Sequence, residues 1–178
     1  GGLALFAIGR RFAPFWAVLV GLLFYLALPF GVIASRVFMP DPGMVMWILL
    51  AAWATLRWSE KPTLKRALLA GGLAGFGILW KVVAGFFLAG VLAALVLSTF
   101  GWKRCWRSAQ VWVMALLALA PAVLYYLVLN TGRAGEYFTY NTVEMLGMLL
   151  TSKFYAQWLA LADNLVGLTV MLIGLVGL

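Results

Sequence analysis

The sequence has no histidine, a single cysteine and few charges, and each shortage excludes a class of fold or site. Cys105 has no second cysteine to pair with, so the chain forms no internal disulfide. Without histidine, a metal site of thiolate and imidazole ligands is excluded, and any metal is a hard cation bound by carboxylates, such as Mg²⁺ or Mn²⁺. Charged residues are 10% of the chain and hydrophobic residues 66%, which excludes a soluble domain because 178 residues cannot hide that much apolar surface from water.

Apolar segments recur along the whole length and predict an all-α fold, a single polytopic transmembrane helical bundle. A helix needs about 20 residues to cross the hydrocarbon layer. We expect membrane helices at about residues 1–9, 12–34, 42–57, 67–80, 82–100, 109–129 and 161–178. The outer loops are then 35–41 and 130–160, and the second predicts an interfacial amphipathic helix because it mixes charges with Tyr, Phe and Trp. The chain begins with Gly1 and stops inside an apolar run, so we expect an internal fragment of a longer protein.

The basic residues set the expected topology. The formal charge is +8, but the cations form short clusters between apolar runs and not the continuous basic face of a nucleic-acid-binding protein. Short loops rich in Lys and Arg stay in the cytoplasm, so the three clusters should share one side. An even number of crossings then separates the second cluster from the third, and residues 67–100 should form a hairpin that turns near Lys81. The clusters are Arg10 and Arg11; Arg57, Lys61, Lys65 and Arg66; and Lys103, Arg104 and Arg107.

Two charged residues on the predicted outer side are the strongest candidates for catalysis or substrate binding. Asp41 precedes Pro42 at the start of a membrane helix, where it would accept a proton, bind a divalent cation or orient a sugar hydroxyl. The pattern is also typical of a helix start, in which the carboxylate caps free backbone N–H groups, and we prefer capping from spacing alone. Lys81 is the only charge in residues 67–100. It binds the phosphate of a lipid-linked substrate, snorkels to the interface, or pairs with Asp41.

The remaining candidates are weaker. Arg36 lies five residues before Asp41. It would be either the salt-bridge partner of Asp41 or a second contact to the phosphate. Tyr140 and Glu144 are four residues apart and would share a helix face towards the same outer cleft, although amphipathic helices form such pairs by default. Asp163 and Asn164 open the last apolar run and are most simply a helix cap.

The order of these features resembles bacterial glycosyltransferases of the C superfamily, the relatives of protein O-mannosyltransferase and of the aminoarabinose transferase that modifies lipid A. The resemblance rests on Ile8-Gly-Arg-Arg, then Ser35-Arg36 and Pro40-Asp41 before the next helix, a basic loop, and the run LAGGLAGFGILWK at 69–81. It covers about residues 1–100 well and the rest loosely. No single motif is diagnostic, so the resemblance depends on their order.

The resemblance implies transfer of a sugar from a polyprenyl-phosphate carrier to a glycan, lipid or protein acceptor on the outer face of the membrane, with no nucleic acid involved. It matches Asp41 to an acid that assists a divalent metal or the donor phosphate, and Lys81 to a lysine near that phosphate. It places the catalytic base in an outer loop ahead of Gly1, so the fragment alone is expected to be inactive. The implied location is a bacterial inner membrane.

Two other functions fit the same residues. A secondary transporter or channel subunit would also carry an intramembrane lysine and short helices, but the sequence shows no inverted repeat. A passive membrane scaffold would use Asp41 only as a cap and Lys81 only as a snorkelling cation.

Overall fold

The computed structural model describes residues 1–28, 32–33, 40–129, 136, 147–148 and 150–176. All the regular structure of these residues is helical, which confirms the all-α class. The helices are α1 (Gly2–Gly9), α2 (Phe15–Ala27), α3 (Asp41–Glu60), α4 (Leu64–Trp80), α5 (Ala84–Cys105), α6 (Ala109–Val123), which continues as a π-helical segment (Leu124–Leu129), α7 (Ser152–Leu165) and α8 (Leu168–Val176).

The chain divides into two compact units, Gly1–Leu129 and Asn130–Leu178. In the first unit α4 packs along both α3 and α6, while α3 also contacts α1 and α5. The buried side chains are mostly alanines, and many Leu, Phe and Trp side chains are exposed. Small residues inside and large apolar residues outside are typical of helices that pack within lipid, so the composition and the packing agree on a membrane protein.

The contact between α4 and α6 depends on Gly71 and Gly75, one turn apart on α4. A Cβ atom on Gly75 would overlap the carbonyl oxygen of Leu117, and one on Gly71 would lie 2.8 Å from the Cα atom of Met114. Pro121 has no N–H to donate to the Leu117 carbonyl, so this oxygen lacks its usual helical partner and lies against Gly75 instead. Two glycines of the run at 71–77 therefore allow the close approach of α4 and α6.

Two buried clusters define the ends of the first unit. One joins Trp58 of α3, Ala67 of α4, Cys105 of α5 and Met114 of α6. Here the indole of Trp58 donates to Gln110 at 2.8 Å, and Arg11 forms an ion pair with Glu60. The three basic clusters adjoin these residues, and we call this the basic end. The other cluster joins Ala51, Ala74, Ile78, Ala84, Leu88, Ala118 and Ala122, towards the end that carries Asp41 and Lys81.

The predicted hairpin at residues 67–100 is confirmed. Helix α4 stops at Trp80, helix α5 starts at Ala84, and the two run in opposite directions because the start of each packs near the end of the other in the two clusters. By length and composition, Ala84–Cys105 and Ala109–Tyr126 are each able to cross a membrane. Helix α4 is shorter, about 26 Å for its 17 residues.

Several boundaries differ from the expected ones. Helix α2 begins at Phe15 because Pro14 takes the position before it, and it is described only to Ala27, whereas the prediction was 12–34. Part of that prediction, with most of the loop 35–41, lies outside the described residues. Helix α5 extends to Cys105 across a bend at Gly101, where φ is 70° and ψ is 165°.

In the second unit, the predicted boundary between residues 160 and 161 is wrong. Helix α7 runs through it, and the break falls at Val166 and Gly167, where the chain bends by 93° before α8. Gly167 adopts φ 86°, which explains the site of the break. The carboxylate of Asp163 accepts a hydrogen bond from the backbone N–H of Leu168 at 2.9 Å, so it caps α8 from within α7.

Candidate functional site

Asp41 and Lys81 meet at the junction of three helices, far from the basic end. Asp41 is the first residue of α3, and Lys81 follows α4 with an extended backbone at φ −156° and ψ 118°. The Lys81 ammonium forms an ion pair with Oδ1 of Asp41 across 40 positions of sequence. The Lys81 side chain is 35% exposed and that of Asp41 44%, so the pair is open to a ligand on one side.

Trp80 joins the end of α4 to the start of α3. Its indole N–H donates to the carbonyl of Pro40 at 2.9 Å, immediately before Asp41. Its ring covers Gly43, where an added Cβ atom would lie 2.8 Å from ring atoms. The hydroxyl of Tyr126 donates to the carbonyl of Leu79 at 3.4 Å and ties α6 to the same end of α4. These two contacts fix the end of α4 immediately before Lys81.

The preferred interpretation of Asp41 as a helix cap is wrong. The residue before α3 is Pro40, Asp41 is already helical, and its side chain makes no capping hydrogen bond. The physical reason is competition, because an ammonium group binds a carboxylate more strongly than a neutral backbone N–H does. The carboxylate still lies in the first turn, where the helix dipole favours a negative charge.

For Lys81, the pairing alternative is confirmed, and it does not exclude phosphate binding. An ammonium group has three N–H donors, and Asp41 occupies one of them. Two donors remain for the oxygens of an anionic ligand. Oδ2 of Asp41 also makes no hydrogen bond within the described part of the chain, so it can accept one from a hydroxyl group.

The other predicted site residues cannot be placed. Arg36, Tyr140 and Glu144 all lie outside the described residues, and their proposed roles stay predictions. Sequence reasoning missed Trp80 and Gly43, which position the pair without carrying charge. The only available signal was that Trp80 is adjacent to Lys81 and that Gly43 follows Asp41 and Pro42.

The described residues do not form a metal centre by themselves. No group of three or more acidic, histidine or cysteine side chains converges in them. The described carboxylates of the first unit are Asp41 and Glu60, and Glu60 lies at the basic end. Mg²⁺ demands near-octahedral oxygen coordination, and here a cation would compete with Lys81 for Asp41. The role of Asp41 as a metal ligand stays a prediction, and further ligands would have to come from elsewhere.

Comparison with protein families gives a match over most of the chain. A family model described as dolichyl-phosphate-mannose-protein mannosyltransferase matches residues 1–126, which include α1 to α6 and both members of the Asp41–Lys81 pair. No curated protein and no solved structure matches the chain.

Proposed function

This chain belongs to the dolichyl-phosphate-mannose-protein mannosyltransferase family, and we propose that it is part of an enzyme that moves a sugar from a polyprenyl-phosphate donor to an acceptor on the outer face of the membrane. The family supports a membrane glycosyltransferase in general terms. The donor, the side of the membrane and the roles of single residues belong to the proposal.

The Asp41–Lys81 pair is the observation that carries the proposal. When a sugar leaves a polyprenyl phosphate, negative charge grows on the departing phosphate, and a fixed cation beside it stabilises the transition state. Lys81 supplies that charge with its two remaining N–H donors. Asp41 orients the ammonium and offers Oδ2 to a hydroxyl of the sugar or the acceptor.

The length of α4 supports a recessed position for Lys81. A helix of about 26 Å falls short of the roughly 30 Å hydrocarbon layer, so a residue at its end lies below the surface if its basic start is at the opposite interface. An electrostatic contact is stronger there than in bulk water. A donor whose lipid tail is in the bilayer would reach this depth without leaving the membrane.

The basic end supports the proposed orientation. Its cations would face the cytoplasm, and the Asp41–Lys81 pair would then open on the outer side of a multi-pass protein, in a bacterial inner membrane. Arg36 would add a second phosphate contact, and Tyr140 and Glu144 would line the acceptor cleft. A divalent cation at Asp41 would require further ligands. The proposed roles of Lys81 and Asp41 do not depend on a bound cation.

The test is sugar transfer by the full-length protein in lipid vesicles, with polyprenyl-phosphate-linked mannose as the first donor and released polyprenyl phosphate as the readout. Asp41→Asn and Lys81→Met should each lower the rate by about 10²-fold or more, the usual cost of removing a charge-stabilising group. The matched controls are Glu60→Gln and Arg11→Met, which break the ion pair at the basic end. Their rates should stay near that of the wild type.

Full activity in both site variants would remove the pair from the mechanism. An equal loss in the controls would attribute the effect to folding. Movement of substrate across the vesicle membrane without sugar transfer would favour a transporter.

A further inference from the structure

A groove at the basic end is unrelated to the Asp41–Lys81 pair. It has a cavity volume of about 350 Å³, within the range of small-molecule sites, and lies between α5 and α6. Its lining includes Ala93 and Val96 before the bend at Gly101, Trp102 and Trp106 after it, and Trp112 and Ala115 on α6. The bend therefore brings a second set of side chains to the groove.

The surface of the lining is apolar, and two of its polar groups already have hydrogen-bond partners. The indole N–H of Trp112 donates to the carbonyl of Trp106 at 2.9 Å, and Sγ of Cys105 donates to the carbonyl of Trp102 at 3.0 Å. The rings of Trp106 lie about 6 Å from those of Trp102 and Trp112. Such a surface suits hydrocarbon.

The stretch of chain that supplies the tryptophans carries the opposite chemistry. Lys103, Arg104 and Arg107 are sequence neighbours of the lining residues Trp102, Cys105 and Trp106, and all three cations are exposed. Within the described residues, none of them forms an ion pair. Three unneutralised cations beside a tryptophan-lined apolar groove match one ligand class, an anionic head group joined to an acyl chain.

We propose that this groove binds an anionic phospholipid, with an acyl chain against the tryptophans and the phosphate of the head group at Lys103, Arg104 and Arg107. Tryptophan prefers the membrane interface, and basic pockets between membrane helices bind anionic head groups. The site is independent of sugar transfer. Helix α5 rises about 14 Å from Ala84, next to the Lys81 turn, to Ala93, where the lining of the groove begins.

The experiment is native mass spectrometry of the full chain in detergent, with equal amounts of phosphatidylglycerol and phosphatidylcholine added. Each cation near an anionic lipid surface contributes about a factor of five in binding. The wild type should therefore retain phosphatidylglycerol at least about fivefold more than phosphatidylcholine. The variant Lys103→Gln/Arg104→Gln/Arg107→Gln should lose that preference, whereas Lys61→Gln/Lys65→Gln, which removes charge from another basic cluster, should keep it.

A second pair of variants tests the groove itself. Ala93→Phe fills it, and Ala94→Phe adds the same ring at the next exposed position of α5, which does not line it. Ala93→Phe should abolish retention of phosphatidylglycerol and Ala94→Phe should not. Equal retention of the two lipids, an equal loss with Lys61→Gln/Lys65→Gln, or no effect of Ala93→Phe would overturn the proposal. Retention of a second copy of the chain in place of lipid would also overturn it.

Discussion

At the residue scale, the Asp41–Lys81 pair shows how a long apolar run accommodates a single charge. A lone ammonium in an apolar run is costly unless it meets an anion or water, and Asp41 supplies the anion. Because the pair is close to neutral as a whole, the charge of the ammonium group is balanced by Asp41 when no phosphate is bound. A partly exposed pair of this kind contributes little to stability, and its value lies in the position of its donors.

Trp80 should affect the affinity for polyprenyl phosphate indirectly, because it positions Lys81. Trp80→Phe keeps a ring against Gly43 but removes the hydrogen bond to Pro40, which is worth about 1 kcal/mol. Polyprenyl phosphate binding by the full-length protein, measured by titration, should weaken about fivefold. Trp16→Phe, an exposed position on α2, should leave binding unchanged.

The same change in a Lys81→Met background separates positioning from a general structural effect. If Trp80 works by holding Lys81, Trp80→Phe should have no further effect on binding once the ammonium is gone. A fivefold loss in both backgrounds would contradict the positioning role.

At the scale of helices, the crossing of α4 and α6 depends on the absence of one methyl group. Gly75→Ala would place that methyl group on the carbonyl oxygen of Leu117, which is fixed backbone. The variant should lose about 1–3 kcal/mol of stability by overpacking. The measurement is the thermal midpoint of unfolding in detergent, followed by size-exclusion chromatography after heating.

Gly72→Ala is the matched control for this prediction. Gly72 lies on the same helix with nothing within 4 Å of an added Cβ atom. Alanine is the better helix former by about 0.5–1 kcal/mol, so the control should melt at the same temperature or slightly higher. Equal destabilisation of the two variants would show that α4 does not cross α6 as described.

The helices also show what the sequence could predict. Hydropathy and the basic clusters were enough for the all-α class, the hairpin and the break at Lys81, because these depend on local composition. The capping interpretation of Asp41 failed because the partner of the carboxylate lies 40 residues away. The contact of Leu117 with Gly75 needs the relative position of two helices, and the break at Gly167 depends on a backbone conformation that glycine permits without requiring it.

At the scale of the whole molecule, the two ends of the first unit should lie on opposite sides of the membrane. Cys105 is the only cysteine and is buried, so Cys105→Ala provides a background for single-cysteine labelling. Pro62→Cys and Ala109→Cys probe the basic end, and Val83→Cys probes the end with Lys81, all at exposed positions. A membrane-impermeant thiol reagent applied outside intact cells should label only Val83→Cys.

Permeabilised cells provide the control, because all three cysteines should then react. Labelling of Pro62→Cys or Ala109→Cys from outside intact cells would reverse the orientation and place the Asp41–Lys81 pair in the cytoplasm. Labelling of Pro62→Cys and Ala109→Cys from different sides would contradict the hairpin.

The most direct test of the central claim is sugar transfer by the double variant Asp41→Asn/Lys81→Met in the full-length protein. Two neutral side chains of similar size remove the ion pair without leaving an unpaired charge, so the fold and the thermal midpoint of unfolding should be retained. If the pair serves chemistry, release of polyprenyl phosphate should still fall by about 10²-fold or more. Transfer at the wild-type rate in a folded double variant would show that the pair is only structural and would contradict the account.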